Sequence, residues 1–407
     1  MKKEQKNSPN LRFKGFTEDW ELCKLGDVFE QTSTLIDPKK DRLELWSLTV
    51  ENGLTPKTQR YNREFLVKKN DQFKAVHSNE FLYNPMNMTL GAVDLNTTGQ
   101  AVAVSGYYIT MQTKENFSSK YFNIWLKTPL AIKNYKLYAT GSLIERQRIQ
   151  FPTLIQIKAY TPQIIEQEKI GDFFQKFDAI ITLHQRKLDQ LKELKKAYLQ
   201  VIFPVKDERV PKLRFADFEE EWELCKLGDL ANIVGGGTPN TNNPKCWDGN
   251  IDWYAPAEIK EKIYVTGSKK RITELGLQKS SAKVLPIGTV LFTSRAGIGN
   301  TAILAKKGTT NQGFQSIIPN KNKLDTYFIF SRTHELKKYG EAVGAGSTFV
   351  EVSGKQMAKM PMLTPRFNEQ QAIGMFFKKI DDIITLHQNK LEQLKDLKTS
   401  YLQNMFI

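Results

Sequence analysis

The chain repeats itself, and this constrains its fold more than any other feature. Residues 9–28 (PNLRFKGFTEDWELCKLGDV) match residues 211–230 (PKLRFADFEEEWELCKLGDL) at 14 of 20 positions. Residues 161–203, beginning TPQIIEQEKIGDFFQKFDAIITLHQ, match residues 364–406, beginning TPRFNEQQAIGMFFKKIDDIITLHQ, at 27 of 43 positions. The offsets are 202 and 203, so two copies of one unit account for nearly all of the 407 residues. Each copy reads as a lead-in segment, a variable block and a helix. The blocks, about 29–150 and 231–350, share only loose echoes: FLYNPMNMTLG against VLFTSRAGIG, and VSGYYITM against NQGFQSII. The frame is kept while its cargo has diverged. Two copies of one frame therefore present two different surfaces.

The helices carry the clearest periodicity. From Ile170 the mainly apolar series runs through Phe174, Phe177, Ile181, His184, Leu188, Leu191, Lys195 and Tyr198 to Ile202, spaced 4-3-4-3. The second copy repeats it from Ile373 through Phe377, Ile380, Ile384, His387, Leu391 and Leu394. This is a heptad seam. Pro162 and Pro365 stand just ahead of the helices, where proline is tolerated, and Pro204 closes the first. Each helix spans about 38 residues, or roughly 57 Å. One helix cannot bury such a seam alone, and the simplest solution pairs the two antiparallel. A second apolar set lies beside the seam: Phe173, Ile180, Leu183 and Leu194, repeated at Phe376, Ile383, Leu386 and Leu397. It widens the stripe. It suits packing against the chain's own domains or docking of a helical partner.

Several function classes drop out. No run of about 18 apolar residues exists, so no membrane span is expected. The polar start MKKEQKNSPN lacks the apolar stretch of a signal peptide. Three cysteines without CxxC spacing leave no disulfide framework and no cysteine-rich zinc site, so no metal is expected and a reducing cytoplasm is the natural setting. Of four histidines, His184 and His387 share one seam position, which marks them as structural, and little remains for acid–base work. Cys23 and Cys225 are repeat-equivalent, and burial is their expected fate. GGGTPNT at residues 235–241 lacks the GK[ST] of a phosphate loop; it reads as a turn that places Thr238, Asn240, Thr241 and Asn242 at a surface. Asn84-Pro85-Met86-Asn87 lacks the aromatic that stacks on a flipped base in adenine methyltransferases.

The charge points to a polyanion. The net charge is +15, from 59 Lys+Arg and 44 Asp+Glu, and residues 20–150 and 213–350 each carry +4. Residues 57–74 hold six basic side chains against Glu64 and Asp71, and residues 260–310 hold ten against Glu261 and Glu274. Lysines such as Lys68, Lys69, Lys269 and Lys270 suit phosphates, which position without specifying. Base reading needs forked or amide donors. Arg60, Arg63, Asn84 and Asn87 qualify in the first block; Arg271, Arg295, Asn311 and Gln312 qualify in the second, with Thr238, Asn240 and Ser294 beside them.

With these motifs in hand, the chain resembles the specificity (S) subunits of type I restriction–modification enzymes over essentially its whole length. The twice-used LRF…W…LGD and TP…EQ segments carry the resemblance, together with GGGTPNTNNPKCWDGNIDWY, RITELGL, VLFTSRAGIG, NQGF and GSTFVEVS. The first block departs from the pattern: GSLIERQ echoes GSTFVEV, but there is no GGTP. The resemblance implies an α+β chain with internal pseudo-twofold duplication: two α/β target recognition domains separated by two long antiparallel coiled-coil-like helices. The expected domains are residues 1–160 and 213–363, with helical regions at 161–203 and 364–407 and a linker at 204–212. It also implies a non-catalytic, sequence-specific reader of a bipartite, asymmetric double-stranded DNA target. Such a chain docks methyltransferase (modification) subunits, expected at two per chain, and restriction/translocase subunits. S-adenosylmethionine, ATP and Mg would be bound by those partners and no cofactor by this chain. The alternatives are a stand-alone DNA nuclease or methyltransferase, and a coiled-coil protein adaptor.

Overall fold

The computed structural model describes residues 7–57, 72–141, 147–205, 208–259, 262–295, 297–344 and 351–407. The chain forms two compact units, Met1–Gln185 with Asn389–Ile407, and Arg186–Gln388. The two long helices are Ile164–Val201 and Phe367–Asn404, each of 38 residues. Each gives its first half to one unit and its second half to the other.

In the first unit, β1 (Glu21–Lys24) pairs antiparallel with β11 (Lys158–Thr161), tying the lead-in segment to the start of the helix. The central antiparallel sheet has the order β2 (Phe29–Thr32), β10 (Ile109–Thr113), β7 (Phe81–Tyr83), β8 (Val93–Leu95). A second sheet joins β3 (Thr34–Ile36), β6 (Phe73–Val76) and β9 (Val102–Ser105), and β4 (Trp46–Thr49) pairs with β5 (Gly53–Pro56). The core gathers Trp20, Phe29, Phe81, Tyr121, Phe122 and Trp125 around the sheet, with Ile170 and Phe174 from one long helix and Met405 and Phe406 from just past the end of the other.

The second unit follows the same plan. β12 (Glu223–Lys226) pairs with β21 (Pro361–Thr364). Its sheet runs β13 (Ala231–Gly235), β20 (Gln315–Pro319), β17 (Val290–Phe292), β18 (Thr301–Leu304), and then adds β15 (Tyr264–Val265) in parallel. A three-stranded layer joins β16 (Lys270–Ile272), β14 (Trp247–Tyr254) and β19 (Thr309–Thr310), with β19 parallel to β14; in the first unit the β4–β5 pair likewise meets β9, through a parallel bridge between Leu45 and Ala103. The loose echoes fall on equivalent strands: FLY is β7 and VLF is β17, while ITM lies in β10 and QSII in β20.

The repeated motifs are the joints of this frame. In TP…EQ, the glutamate is buried and grips the arginine of LRF with both oxygens: Arg12 Nε–Glu166 at 2.7 Å, and Arg214 Nε–Glu369 at 2.8 Å. These forked pairs hold each guanidinium above its ordinary pKa, mainly through the hydrogen bond to the carboxylate. The neighbouring glutamine accepts an amide hydrogen from its own block: Ser118 N–Gln167 at 2.9 Å and Asp325 N–Gln370 at 3.0 Å. A methyl group on Gly171 would meet Lys120 Cβ and Tyr121 N, and one on Gly374 would meet Phe328 N. Glycine there lets the helix backbone approach the short helices Ser119–Trp125 and Thr326–Ser331.

Within each unit the helix halves run antiparallel. In the first, Lys398 Nζ binds Asp178 at 2.5 Å and Tyr401 lies edge-on to Phe173 at 5.1 Å. In the second, Lys195 Nζ binds Asp381 at 2.6 Å and Tyr198 lies edge-on to Phe376 at 5.0 Å. All twelve seam residues expected from Phe174–Leu191 and Phe377–Leu394 are buried or half-buried. The adjacent apolar set divides. Phe173 and Phe376 are covered by Phe13 and Phe215 of the lead-in segments, whereas Leu183 and Leu386 are 67% and 66% exposed. Among the described residues, no helix is long and apolar enough to cross a membrane.

Candidate nucleic-acid interface

The candidate base readers occupy comparable turns of the two sheets. After β7 the chain turns at Asn84–Asn87, where Asn84 N donates to Ala92 O at 3.0 Å and Pro85 O accepts from Ile149 N at 3.0 Å. After β17 it turns at Thr293–Arg295, where Thr293 N donates to Asn300 O at 3.0 Å and Ser294 O accepts from Val352 N at 3.0 Å. The turn that carries Asn84 and Asn87 therefore holds the place in its unit that the turn at Thr293–Arg295 holds in the other. Asn87 is exposed, and Asn84 and Arg295 are half-buried. Ser294, expected among the contacts, is wholly buried and cannot meet a partner's surface in this conformation. Arg60, Arg63, Lys68 and Lys69 lie outside the described residues.

The second unit brings its other candidates into two adjoining groups. In the first group, the Thr238 hydroxyl donates to Gln312 Oε1, and Gln312 is exposed beside Asn311. Asn311 Oδ1 accepts from Gly313 N at 2.8 Å, which fixes the turn between β19 and β20. The glycine-rich strand end presses on that turn. A methyl group at Gly236 would lie on the carbonyl oxygens of Thr310 and Asn311. In the second group, Lys269 and Lys270 are exposed on and beside β16, with Lys270 Nζ 5.7 Å from the centroid of Trp247. Arg271 Nε lies 3.5 Å from Asp252 Oδ1, so its fork is partly engaged within the protein.

Sequence reasoning missed the side chains that join these groups. Trp253 Nε1 donates to Gly237 O at 2.8 Å, and Trp247 Nε1 donates to Asn240 O at 3.1 Å. The two rings meet edge to face at 5.1 Å. The available signal was a pair of tryptophans in WDGNIDWY just after a glycine-rich loop. Behind them Tyr254 is buried, and burial pushes its hydroxyl pKa up to about 12. Among the described residues, no group of three His, Cys, Asp or Glu side chains could hold a metal ion.

Comparison with known proteins places these features in context. The model of a family described as the type I restriction modification DNA specificity domain matches residues 17–193 and again 219–396. The specificity subunit of the type I restriction enzyme MjaIX from Methanocaldococcus jannaschii is 33% identical over 191 residues, 46% of this chain and 44% of that protein. The putative MjaX specificity subunit of the same organism is 23% identical over 395 residues, 94% of this chain and 91% of that protein. The crystal structure of the type I restriction-modification S subunit from M. genitalium superposes with a TM-score of 0.66 at 13% identity, covering 98% of this chain and 99% of that one.

Proposed function

The chain belongs to the type I restriction modification DNA specificity domain family and carries the domain twice, and from that premise we propose that it is the specificity subunit of a type I restriction–modification complex. Its two units read the two unlike halves of a split double-stranded DNA target. One observation carries the reading. A single frame, joined by the same Arg–Glu and Gln–amide contacts in both copies, holds different side chains at equivalent turns: Asn84 and Asn87 in one, Arg295 in the other. Amide and guanidinium groups are the side chains that discriminate base edges, and the lysines of each block's basic cluster suit phosphates. The chain itself is non-catalytic in this reading. Two modification subunits supply S-adenosylmethionine chemistry on the target bases, and restriction subunits supply ATP- and Mg-dependent chemistry. Leu183 and Leu386, each exposed on its own helix, suit the docking of such subunits.

Methylome sequencing of cells with and without the gene, partner subunits present in both, tests the proposal. A bipartite methylated motif that disappears with the gene is the expected result. An unchanged methylome would sink it.

A further inference from the structure

The loop from Gly235 to Cys246 is held at nearly every station except its crest. At its base, Gly237 N donates to Thr310 O at 2.9 Å, and neither Gly236 nor Gly237 has room for a side chain. The two indoles then grip the rising limb at Gly237 O and Asn240 O. Asn240 Oδ1 accepts from Asn242 N at 3.0 Å, and Asn243 Oδ1 from Lys245 N at 3.1 Å. On the descending limb, Lys245 O accepts from Thr273 Oγ1 at 2.8 Å and Cys246 O from Thr273 N at 3.1 Å. What this scaffold presents is the pair Thr241 and Asn242, both exposed; exposed Lys245 follows on the same loop, and exposed Lys270 lies over Trp247.

Fixing a loop before binding removes the ordering cost that a mobile loop meets on contact. A hydroxyl and an amide held this way, on a loop that also carries a cation suited to phosphates, match what direct readout of base edges in the major groove demands. We propose that Thr241 and Asn242 are specificity-determining residues of the second unit, reading base edges, and that Trp247 and Trp253 are positioning residues that aim them. This rests on the DNA-reading function proposed above. It adds the element that reads and the side chains that hold it.

The test uses the full chain coexpressed with its modification subunits in a host lacking other methylation, with the methylated motif as readout. Thr241→Ala and Asn242→Ala, at exposed positions that do not endanger folding, are expected to make single positions of one half-site degenerate. Discrimination there should fall about tenfold or more, while the other half-site stays unchanged. Trp247→Phe and Trp253→Phe keep a ring but remove the N–H donor. They are expected to blur several positions of that same half-site while the other half-site stays sharp and the complex is still recovered. Uniformly weaker methylation with an intact motif would mean the crest touches only phosphates and would overturn the proposal, as would an unchanged motif. Tryptophan variants that degrade both half-sites equally, with a lowered melting temperature, would reduce Trp247 and Trp253 to structural residues. A wild-type chain that directs no motif at all would fail differently, since it removes the proposed function itself.

Discussion

Arg12 and Glu166 lie 154 residues apart in sequence, and Arg214 and Glu369 lie 155 apart, yet each pair is a forked ion pair with its carboxylate nearly sealed from water. The duplication exposes such residues as constants of the frame, but no local pattern says which constant meets which. The same holds at the candidate interface. Asn84 and Arg295 are legible as donors near charge, whereas the grip of Trp247 and Trp253 on the loop depends on the chain folding back on itself. Ser294 shows the opposite case, for a polar residue beside a basic one reads as surface, whereas the turn after β17 buries it. The two repeat-equivalent cysteines, expected to be buried, are half-buried, and this partial burial can be checked directly. Cys23 Sγ lies 3.0 Å from Thr161 Oγ1, and burial raises the pKa of Cys23 and of Cys225 above the ordinary thiol value. Only the thiolate reacts, so both should alkylate slowly at neutral pH and faster only as the pH climbs past about 8.5. The linked stability has the same sign: it is intact below that value and declines as the pH rises through the raised pKa. Mass spectrometry of iodoacetamide labelling against pH measures this, and neutral-pH labelling as fast as that of a free thiol would contradict it.

Among the elements, the two 38-residue helices are the most legible, because a 4-3 apolar spacing sustained over ten positions has one physical solution. The sheets are far less so, since most strands have only three to five residues and too few alternations to declare a period. Only the internal echoes mark β7, β10, β17 and β20. The antiparallel direction of the helix halves is written in their polar contacts. Lys195–Asp381 and Lys398–Asp178 are repeat-equivalent pairs, but their surroundings differ. Asp381 is 5% exposed and also accepts from Tyr327 Oη at 2.9 Å, while Asp178 is 43% exposed. Removing one partner of a buried pair strands the other charge, and removing one from a wet pair does not. Asp381→Ala should therefore cost about 3 kcal/mol, because Lys195 and Tyr327 both lose their acceptor. Asp178→Ala should cost about 1 kcal/mol or less. Urea unfolding of the two variants beside the wild type measures the difference, and equal costs would count against it.

For the whole molecule, duplication makes modularity testable. Exchanging residues 29–150 for the corresponding block of another family member should change one half of the methylated motif and leave the other intact. A change in both halves would end the two-reader description. What the repeat does not announce is that the copies are assembled differently from their own sequence. The second unit is one unbroken stretch, Arg186–Gln388, whereas the first needs Asn389–Ile407 to complete it. There Phe406 packs edge-on against Trp20 at 6.5 Å, and Leu11 N donates to Asn404 O at 2.9 Å. In the second unit Phe203 and Val201 make the same contacts with Trp222 and Leu213, but well before synthesis of that unit is finished. On the ribosome, the unit made first is therefore closed last. Its aromatic core waits for the final turns of the second long helix, and for that interval the nascent chain exposes Trp20 and Tyr121 as surfaces that a chaperone could hold.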